Sequence, residues 1–489
     1  MQAIISKTRA LFISLPNFGQ DLLRGPSGTI IQGIYAVNFG LDLATIGTIL
    51  LLTKIFDAFT DPVVGMFSDR YYHAYGTRKP WLVIGTLLSI LGMWLLFTPS
   101  VGVSAAYFLF SYLLMYLGWT LAEIPYAAWK AEVNHHYDSR TRVAAMDSFF
   151  GFLGTLSFSL IPITMVGLGM SEKVEYSIES VHFTAWVVTL ILPVMVGLAL
   201  WKVPDGVPLQ QERRTSLKEN LSAVLQAKPV FYFMVIYFLS GLAMGMTGAV
   251  NYLYLVRYAH ASELVVYSST WGLFVVIVAI PLGAWLCRVV GKHRVWAFSL
   301  VVVVLGVVIK DFLVDHSLPD AAHFKVNNLL MLFIMGIPAI MVSFYTVAVS
   351  GLQGDLTDYG QWKFRSNFSG SYLSFMLLMN KIAAAFGAFL ALNALQLSGF
   401  DAKSGVEITL SGAWCLRLTF TWIPALLLIL TIPLVFYYPL TREKHLVLLK
   451  ALERRSRREA ATVVIDDARH TSLPAAAPIV REPEYSSRL

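Results

Sequence analysis

Long apolar stretches recur along nearly the whole chain and restrict it to folds that live in a lipid bilayer. A membrane-spanning helix needs about 20 consecutive, mostly apolar residues. Twelve such stretches, separated by polar connections, lie near 13–38, 43–68, 80–101, 104–132, 143–169, 181–202, 229–257, 264–288, 294–313, 325–351, 368–397 and 412–438. Of the 489 residues, 56% are hydrophobic and only 14% are charged, a balance foreign to soluble proteins of this size. The sequence therefore predicts an all-α polytopic membrane protein with 12 transmembrane helices.

The longest polar connection divides these helices into two groups of six. Span two ends on Gly65-x-x-x-Asp69-Arg70, and span eight ends on the similar Gly283-x-x-x-Cys287-Arg288. A degraded repeat at matching positions is typical of transporters built from two related halves. We expect an N-terminal half at 1–202, a central loop at 203–228, a C-terminal half at 229–440 and a tail at 441–489.

Basic residues concentrate in the connections on one side of these spans. The other side offers only Lys173, Arg257, Lys310, Lys325 and Lys403. Because basic loops stay in the cytoplasm, we expect both termini and the central loop to be cytoplasmic, in an integral plasma (inner) membrane protein. The tail begins as a basic amphipathic helix, which favours contact with anionic membrane lipid. A regulatory or partner-binding role for the tail is the alternative.

The sequence contains no metalloprotease, nucleophile-elbow or P-loop motif, so we predict no enzyme activity and no ATP-driven transport. Cys287 and Cys415 both lie in apolar segments, which indicates neither a disulfide framework nor a metal site. We expect no cofactor, no metal beyond a coupling Na⁺, no nucleic-acid partner and a monomeric protein.

Span two carries the clearest group of charges, in Lys54-Ile-Phe-Asp57-Ala-Phe-Thr60-Asp61. Asp57 and Asp61 are four residues apart and share a helix face, with Thr60 alongside. Two such carboxylates repel each other unless a cation or a proton lies between them, which is how a site couples to Na⁺ or H⁺. Lys54 can neutralise the pair when the cation leaves. The alternative is that Lys54 and Asp61 only brace the helix bundle.

Spans one and four carry candidate substrate contacts. Asp21 and Arg24 precede a Gly-Pro pair that predicts a kink, and Trp119 lies one turn before Glu123. A buried acid beside a large aromatic ring is a common way to hold a sugar. Packing with an internal ion pair, or Asp21 pairing with Arg24, is the alternative.

Three further groups of charges lie elsewhere. Lys381, alone among small residues in span eleven, is either a partner for Asp57 or Asp61 across the halves or a structural anchor. Two loop groups are candidate cytoplasmic gates, with exposed surface charge as the alternative. They are Asp138, Arg140 and Arg142 between spans four and five, and Asp355 and Asp358 in a loop after span ten.

Several of these segments resemble one known family over nearly the full chain. The motif KIFDAFTDPVVGMFSDRYYHAYGTRKPW, with FGQDLLRG, TLAEIPYAAW, DYGQWK and NKIAAAFGAF, is similar to the glycoside-pentoside-hexuronide:cation symporters of the major facilitator superfamily. The resemblance implies a major facilitator fold, with substrate contacts from Asp21 and Glu123. It also implies a cation site at Asp57, Thr60, Asp61 and Thr120, with Lys54 and Lys381 as charge partners.

The chain departs from that family's melibiose permease at informative positions. Thr60 stands where the permease has Asn in its cation site, which leaves Na⁺ versus H⁺ open. Ala127 and Ser148 replace a Trp and an Arg, which argues against galactoside binding in the permease's manner. We therefore expect a cation-coupled symporter of a sugar, glycoside or uronide. The alternatives are a lipid or lysolipid carrier of the same fold and a transport-inactive membrane sensor.

Overall fold

The computed structural model describes residues 6–99, 102–134, 137–206, 226–317, 322–364, 369–403 and 405–455, without the side chains of 26, 27, 29, 137, 138, 140 and 369–371. The first half contains α1 (Lys7–Ser14), α2 (Pro16–Thr29), α3 (Ile31–Phe39), α4 (Leu43–Tyr75), α5 (Lys79–Phe97), α6 (Ala105–Val133), α7 (Tyr137–Gly167) and α8 (Ile178–Lys202). The second half contains α9 (Lys228–Leu253), a π-helical turn (Tyr254–Tyr258), α10 (Ser262–Val289), α11 (Lys292–Phe312), α12 (Asn328–Phe364), α13 (Ser369–Leu397), α14 (Leu410–Arg417), a second π-helical turn (Leu418–Trp422) and α15 (Ile423–Phe436). A short antiparallel pair, β1 (Val314–Asp315) and β2 (His323–Phe324), and a tail helix over 442–455 complete the described chain.

Eleven helices in the described chain are long and apolar enough to cross a membrane, which confirms an all-α membrane fold. The predicted first span is instead covered by α1, α2 and α3 in succession. One break precedes Pro16, because proline lacks the backbone N–H that would continue the helix. The second break falls at Ile30, one turn beyond the kink predicted at Gly25-Pro26. The count of twelve single spanning helices is therefore not confirmed.

Two helices continue well past the predicted ends of their spans. α4 runs to Tyr75 and ends at Gly76, whose φ of 72° suits a residue without a side chain. α12 runs to Phe364, so the prediction that Asp355 and Asp358 lie in a loop is wrong. An apolar window ends where the membrane ends, whereas a helix can continue into water.

Close helix packing within the first half depends on glycine. A β-carbon at Gly92 would overlap the backbone of Met115, and one at Gly118 would overlap the backbone of Ser89. α5 and α6 therefore approach backbone to backbone. Small residues at interfaces are the usual means of packing helices in lipid, where the hydrophobic effect does not drive them together.

The second half contains a buried ion pair near the predicted external end. Arg417 Nη2 lies 2.8 Å from Asp311 Oδ2, and the Tyr254 hydroxyl donates to Asp311 Oδ1 over 3.2 Å. His316 Nε2 lies 2.8 Å from the Asp311 carbonyl oxygen, and His316 Nδ1 lies 2.6 Å from the Tyr258 hydroxyl. Burial lowers the pKa of the His316 imidazole, which suits a neutral ring that donates at Nε2 and accepts at Nδ1.

Two basic residues counted above on the external side, Arg257 and Lys310, lie at the ends of the predicted spans 229–257 and 294–313, and the structure places both in helical segments. Arg257 belongs to the first π-helical turn, is 8% exposed and donates to the Val406 carbonyl. Lys310 lies in α11 with its ammonium 4.0 Å from the centre of the Phe420 ring.

The two halves meet at their predicted external ends and close the space between them there. The Tyr252 ring packs against Gly33, and the Tyr252 hydroxyl donates to the Tyr176 carbonyl over 3.1 Å. Leu43 N donates to Gln396 Oε1 over 3.0 Å. Towards the predicted cytoplasmic end of α4, a cavity of about 630 Å³ is lined by residues of that helix, and Met66 among them is 55% exposed.

Replacing Gly33 with alanine is expected to weaken this external closure, because the added methyl group would overlap the Tyr252 ring. Overpacking costs about 1–3 kcal/mol, which corresponds to a shift of about 5- to 150-fold towards separated external ends. Spin labels at Glu172→Cys and Glu263→Cys, on exposed external positions of the two halves, would report longer distances. Gly197→Ala is the matched control, since an added β-carbon meets nothing within 4 Å there. Unchanged distances in the Gly33 variant would refute the closure.

Candidate functional site

A cavity of about 420 Å³ lies between the halves at mid-span. Its walls come from α2, α3, α4 and α6 on one side and from α9 and α13 on the other. The lining residues are Arg24, Gly28, Gln32, Leu50, Lys54, Asp57, Asp61, Tyr112, Met115, Tyr116, Trp119, Thr120, Glu123, Met244, Gly245, Gly248, Ala249, Asn380, Lys381, Ala384, Ala385 and Ala388.

Asp57 and Lys54 form an ion pair on the cavity side of α4. Lys54 Nζ lies 2.9 Å from Asp57 Oδ2 and 4.0 Å from the centre of the Tyr116 ring. Asp57 is 5% exposed, and its other oxygen, Oδ1, is buried with no hydrogen-bond partner among the described residues. A buried carboxylate oxygen without a partner is costly, so this atom calls for a proton or a cation.

Asp61 connects the two halves of the protein. The Thr120 hydroxyl donates to Asp61 Oδ1 over 3.2 Å, and Lys381 Nζ lies 3.4 Å from Asp61 Oδ2. Of the two partners left open by the sequence for Lys381, the structure places Asp61 in direct contact. Pulling the halves apart at this level would break the pair.

A second group on the first-half wall combines an aromatic ring with two charges. Arg24 Cζ lies 5.6 Å from the centre of the Trp119 ring, and Trp119 Nε1 donates to Glu123 Oε2. The ring and the carboxylate are thus held together by one turn of α6, as their spacing predicted. Both side chains line the cavity.

Two predicted site residues do not line this cavity in the described structure. The Thr60 hydroxyl donates to the Phe56 carbonyl over 3.0 Å within its own helix. Asp21 lies behind the wall, with a carboxylate oxygen against Gly151. Neither side chain meets a ligand in the cavity without a change of conformation, because other side chains form its surface.

The uncharged members of the wall escaped the sequence prediction. Gln32, Tyr112, Tyr116 and Asn380 line the cavity, and only their polarity within apolar spans could have marked them. The sequence did not mark Asp147 as a buried polar partner either. Its carboxylate accepts hydrogen bonds from Asn17 over 2.7 Å and from Lys130 over 2.8 Å.

The predicted gate residues of α12 pair within the second half and with the tail. Asp355 Oδ1 lies 2.6 Å from Lys292 Nζ and 3.5 Å from His445 Nδ1, while Asp358 Oδ2 lies 3.0 Å from His445 Nε2. The imidazole of the tail helix therefore lies between two carboxylates. The prediction that Asp138, Arg140 and Arg142 lie in a loop is also wrong, because α7 begins at Tyr137. Arg142 is half-buried, and the side chains of Asp138 and Arg140 lie outside the described residues.

The cavity can stabilise a charged or polar solute and one small cation. Its charged groups balance, with Arg24, Lys54 and Lys381 against Asp57, Asp61 and Glu123. The oxygens of Asp57, Asp61 and Thr120 are hard ligands of the kind that Na⁺ accepts, and the same carboxylates accept protons. These donors fit a coupling ion.

Comparisons with known proteins identify a family of transporters. The profile of a family described as MFS/sugar transport protein matches residues 12–442. The glucuronide carrier protein homolog of Escherichia coli (strain K12) is 23% identical over 460 residues, which cover 91% of this chain and 95% of the relative. The isoprimeverose transporter of Lactiplantibacillus pentosus is 20% identical, with 84% of each chain covered, and the inner membrane symporter YicJ of Escherichia coli (strain K12) is 22% identical, with 87% and 90% covered.

Solved structures show the same fold. A point mutant of the nucleoside transporter NupG superposes with a TM-score of 0.63 at 15% identity, over 87% of this chain and 99% of that chain. A bacterial homolog of the human lysosomal transporter Spinster, in an inward-facing and unoccupied conformation, gives 0.62 at 13% identity, over 88% and 96%.

Proposed function

The chain belongs to the MFS/sugar transport protein family, and on that premise we propose that it is a cation-coupled symporter of a sugar, glycoside or uronide. Alternating access in this fold exposes a central site to each side of the membrane in turn. The observation that carries the proposal is the buried Asp57 Oδ1, which has no hydrogen-bond partner in the described chain although Asp57 lines the cavity.

In this proposal the coupling ion binds at Asp57 and Asp61 and replaces a lysine as the counter-charge of these carboxylates. Lys54 and Lys381 now neutralise the two carboxylates at 2.9 and 3.4 Å. A Na⁺ or a proton that takes over this role releases one ammonium group to face the solute. Thr120 supplies a further oxygen next to Asp61. Thr60 joins the site only if its hydroxyl turns away from the helix backbone.

The solute lies against Arg24, Trp119 and Glu123. The Glu123 carboxylate accepts hydrogen bonds from two hydroxyl groups, and the Trp119 ring covers an apolar sugar face. Arg24, like a released Lys381, is suited to the carboxylate of a uronide. Asp21 does not contact the solute, and its carboxylate partly offsets the positive charge of Arg24 from behind the cavity wall.

Coupling follows from reciprocal binding free energy. A cation that raises solute affinity by a given factor is itself bound more tightly by the same factor, and typical couplings are about 1–3 kcal/mol. Only the empty and the fully loaded carrier then rearrange readily. The cytoplasmic end of α12 is held in place during that movement by the contacts among Lys292, Asp355, Asp358 and His445. We propose these contacts as the cytoplasmic gate.

The remaining properties complete the proposal. We place the monomeric protein in the plasma (inner) membrane, with both termini cytoplasmic, membrane lipid around it and no enzymatic activity. A lysolipid carrier needs an apolar space for its acyl chain that is free of charged groups, whereas six charged side chains line this cavity. A transport-inactive sensor would not need the Asp57 and Asp61 site.

Thermal stability of the purified protein tests the proposal. The ligands are D-glucuronate, p-nitrophenyl β-D-glucuronide, D-xylose, p-nitrophenyl β-D-xyloside and lysophosphatidylcholine, each in Na⁺, Li⁺, K⁺ or at low pH. We expect one sugar or glycoside to stabilise the protein in a cation-dependent manner, by about 2.7 kcal/mol at 100 times its Kd. Stabilisation by the lysolipid alone, or no cation-dependent flux in proteoliposomes, would contradict the proposal.

A further inference from the structure

A histidine at the predicted external end of the second half joins two helices through both of its ring nitrogens. His316 follows α11 and β1, and its side chain is 21% exposed, so solvent protons can reach it. Nε2 lies 2.8 Å from the Asp311 carbonyl oxygen of α11, and Nδ1 lies 2.6 Å from the Tyr258 hydroxyl of the first π-helical turn. The rings of Tyr258 and His316 also stack, with centres 5.8 Å apart. The imidazole therefore ties the end of α9 to the end of α11.

Only the neutral form of the ring supplies both of these hydrogen bonds as they stand. A neutral imidazole has one donor and one acceptor nitrogen, whereas an imidazolium has two donors. Nε2 donates to the carbonyl oxygen, so Nδ1 accepts the Tyr258 hydroxyl proton. A proton on Nδ1 would remove that acceptor, and the hydroxyl would have to turn away. Imidazole is the side chain whose charge changes most readily between pH 5 and 8.

The charges around His316 do not compensate for a proton on its ring. The Asp311 carboxylate lies 3.7 Å from Nε2 but already pairs with Arg417 at 2.8 Å. Burial, with the positive charges of Arg417 and Lys325, lowers the pKa of the imidazole, although the backbone bond to Asp311 and the Asp311 charge act in the opposite direction. The network is therefore intact above about pH 6.5 and weakens as the pH falls through the lowered pKa. The other titratable groups around the cluster are Lys310 and Tyr254.

The π-helical turn that His316 holds continues directly from the part of α9 that closes the external end. Tyr252, in the last turn of α9, packs its ring against Gly33 of the first half and donates to the Tyr176 carbonyl over 3.1 Å. Tyr258 lies in the turn that follows and is 1% exposed. Single π-helical turns within helices are frequent at functional sites. Release of Tyr258 therefore acts on the backbone that positions Tyr252.

We propose that His316 is a proton-sensitive switch for the external closure. Its neutral ring holds the turn that positions Tyr252, and protonation releases Tyr258 and favours separated external ends. This inference goes beyond the proposed function and rests on it only for alternating access. The switch is distinct from the coupling site, because His316 does not line the central cavity. It makes opening towards the outside depend on the pH of the external solution.

Spin labels at Glu172→Cys and Glu263→Cys test the switch on a background without the two native cysteines. Distances are measured at pH 8 and pH 5, in constant Na⁺ and without solute. We expect the population with separated external ends to rise about 2- to 10-fold at pH 5, which corresponds to the loss of one hydrogen bond. His316→Gln should abolish this response, because a glutamine amide donates and accepts like the neutral ring but does not titrate.

His323→Gln is the matched control, since His323 is an exposed histidine in the neighbouring strand β2, and this variant should respond like the wild-type protein. A pH response that persists in His316→Gln would overturn the switch and assign the response to another group, such as Lys310 or the central carboxylates. Absence of any response in the wild-type protein would overturn it as well.

Tyr258→Phe decides the question if His316→Gln does not fold. Loss of the hydroxyl should leave the external ends more separated at pH 8 and remove most of the change between pH 8 and pH 5. A full pH response in Tyr258→Phe refutes the switch. None of these measurements requires a bound solute, so their failure leaves the proposed symport intact, and the ligand screen tests symport separately.

Discussion

Replacement of Asp57 with asparagine is expected to abolish cation-driven accumulation of the solute. In the wild-type protein, one Asp57 oxygen pairs with Lys54 at 2.9 Å and the other, Oδ1, has no hydrogen-bond partner among the described residues. Asparagine keeps the size of the side chain but removes the negative charge that would bind the ion. Without a cation site, the about 5- to 150-fold effect of the cation on solute affinity is lost. Uptake into proteoliposomes under an imposed Na⁺ or H⁺ gradient should fall to simple equilibration.

Exchange of solute at equal concentrations separates this effect from misfolding. Exchange needs only the solute site and the rearrangement of the halves, so we expect part of it to survive in Asp57→Asn. Asp42→Asn is the control, since Asp42 precedes the same helix, lies outside the central cavity and makes no capping hydrogen bond. Full concentrative uptake by Asp57→Asn would exclude Asp57 from the cation site.

Breaking the buried pair of Asp311 and Arg417 is expected to cause the largest loss of stability. Asp311 is fully buried, and Arg417 is 13% exposed. Asp311→Asn would leave a buried guanidinium without its counter-charge, which costs about 3–5 kcal/mol. The measurement is thermal unfolding of the detergent-solubilised protein, with Asp315→Asn as the control on a residue outside the buried pair.

A double replacement tests the cause of that loss. Because an apolar pair of similar size can substitute for a buried ion pair, Asp311→Leu with Arg417→Met should recover much of the stability that Asp311→Asn loses. If Asp311→Asn behaves like Asp315→Asn, or if the double variant is the least stable of the three, the ion pair does not stabilise the fold as described.

The charged core of the site could be predicted because charges are rare in apolar spans. Asp57 and Asp61 stand out at helical spacing, and a lone Lys381 in a distant span needs a partner. The structure supplies that partner in Asp61. Trp119 and Glu123 are likewise one turn apart, so local geometry alone brings them together.

Other features depend on information that a single span does not carry. Hydropathy marks where a segment can cross lipid, but not where its helix ends, so Asp355 and Asp358 were assigned to a loop. Gln32 and Gly248 have no charge to mark them, and only the arrangement of neighbouring helices shows that they face a cavity. Pro16 marks the first break within the predicted first span, whereas the second break at Ile30 has no proline to mark it.

The position of His445 bears on how the protein can be handled in the laboratory. Its imidazole lies 3.0 Å from Asp358 and 3.5 Å from Asp355, and Leu448 in the same helix is 4% exposed. A chain shortened before residue 445 would leave two like charges on one turn of α12, with Lys292 to offset them. Purification tags and fluorescent fusions should therefore follow the tail helix rather than replace it.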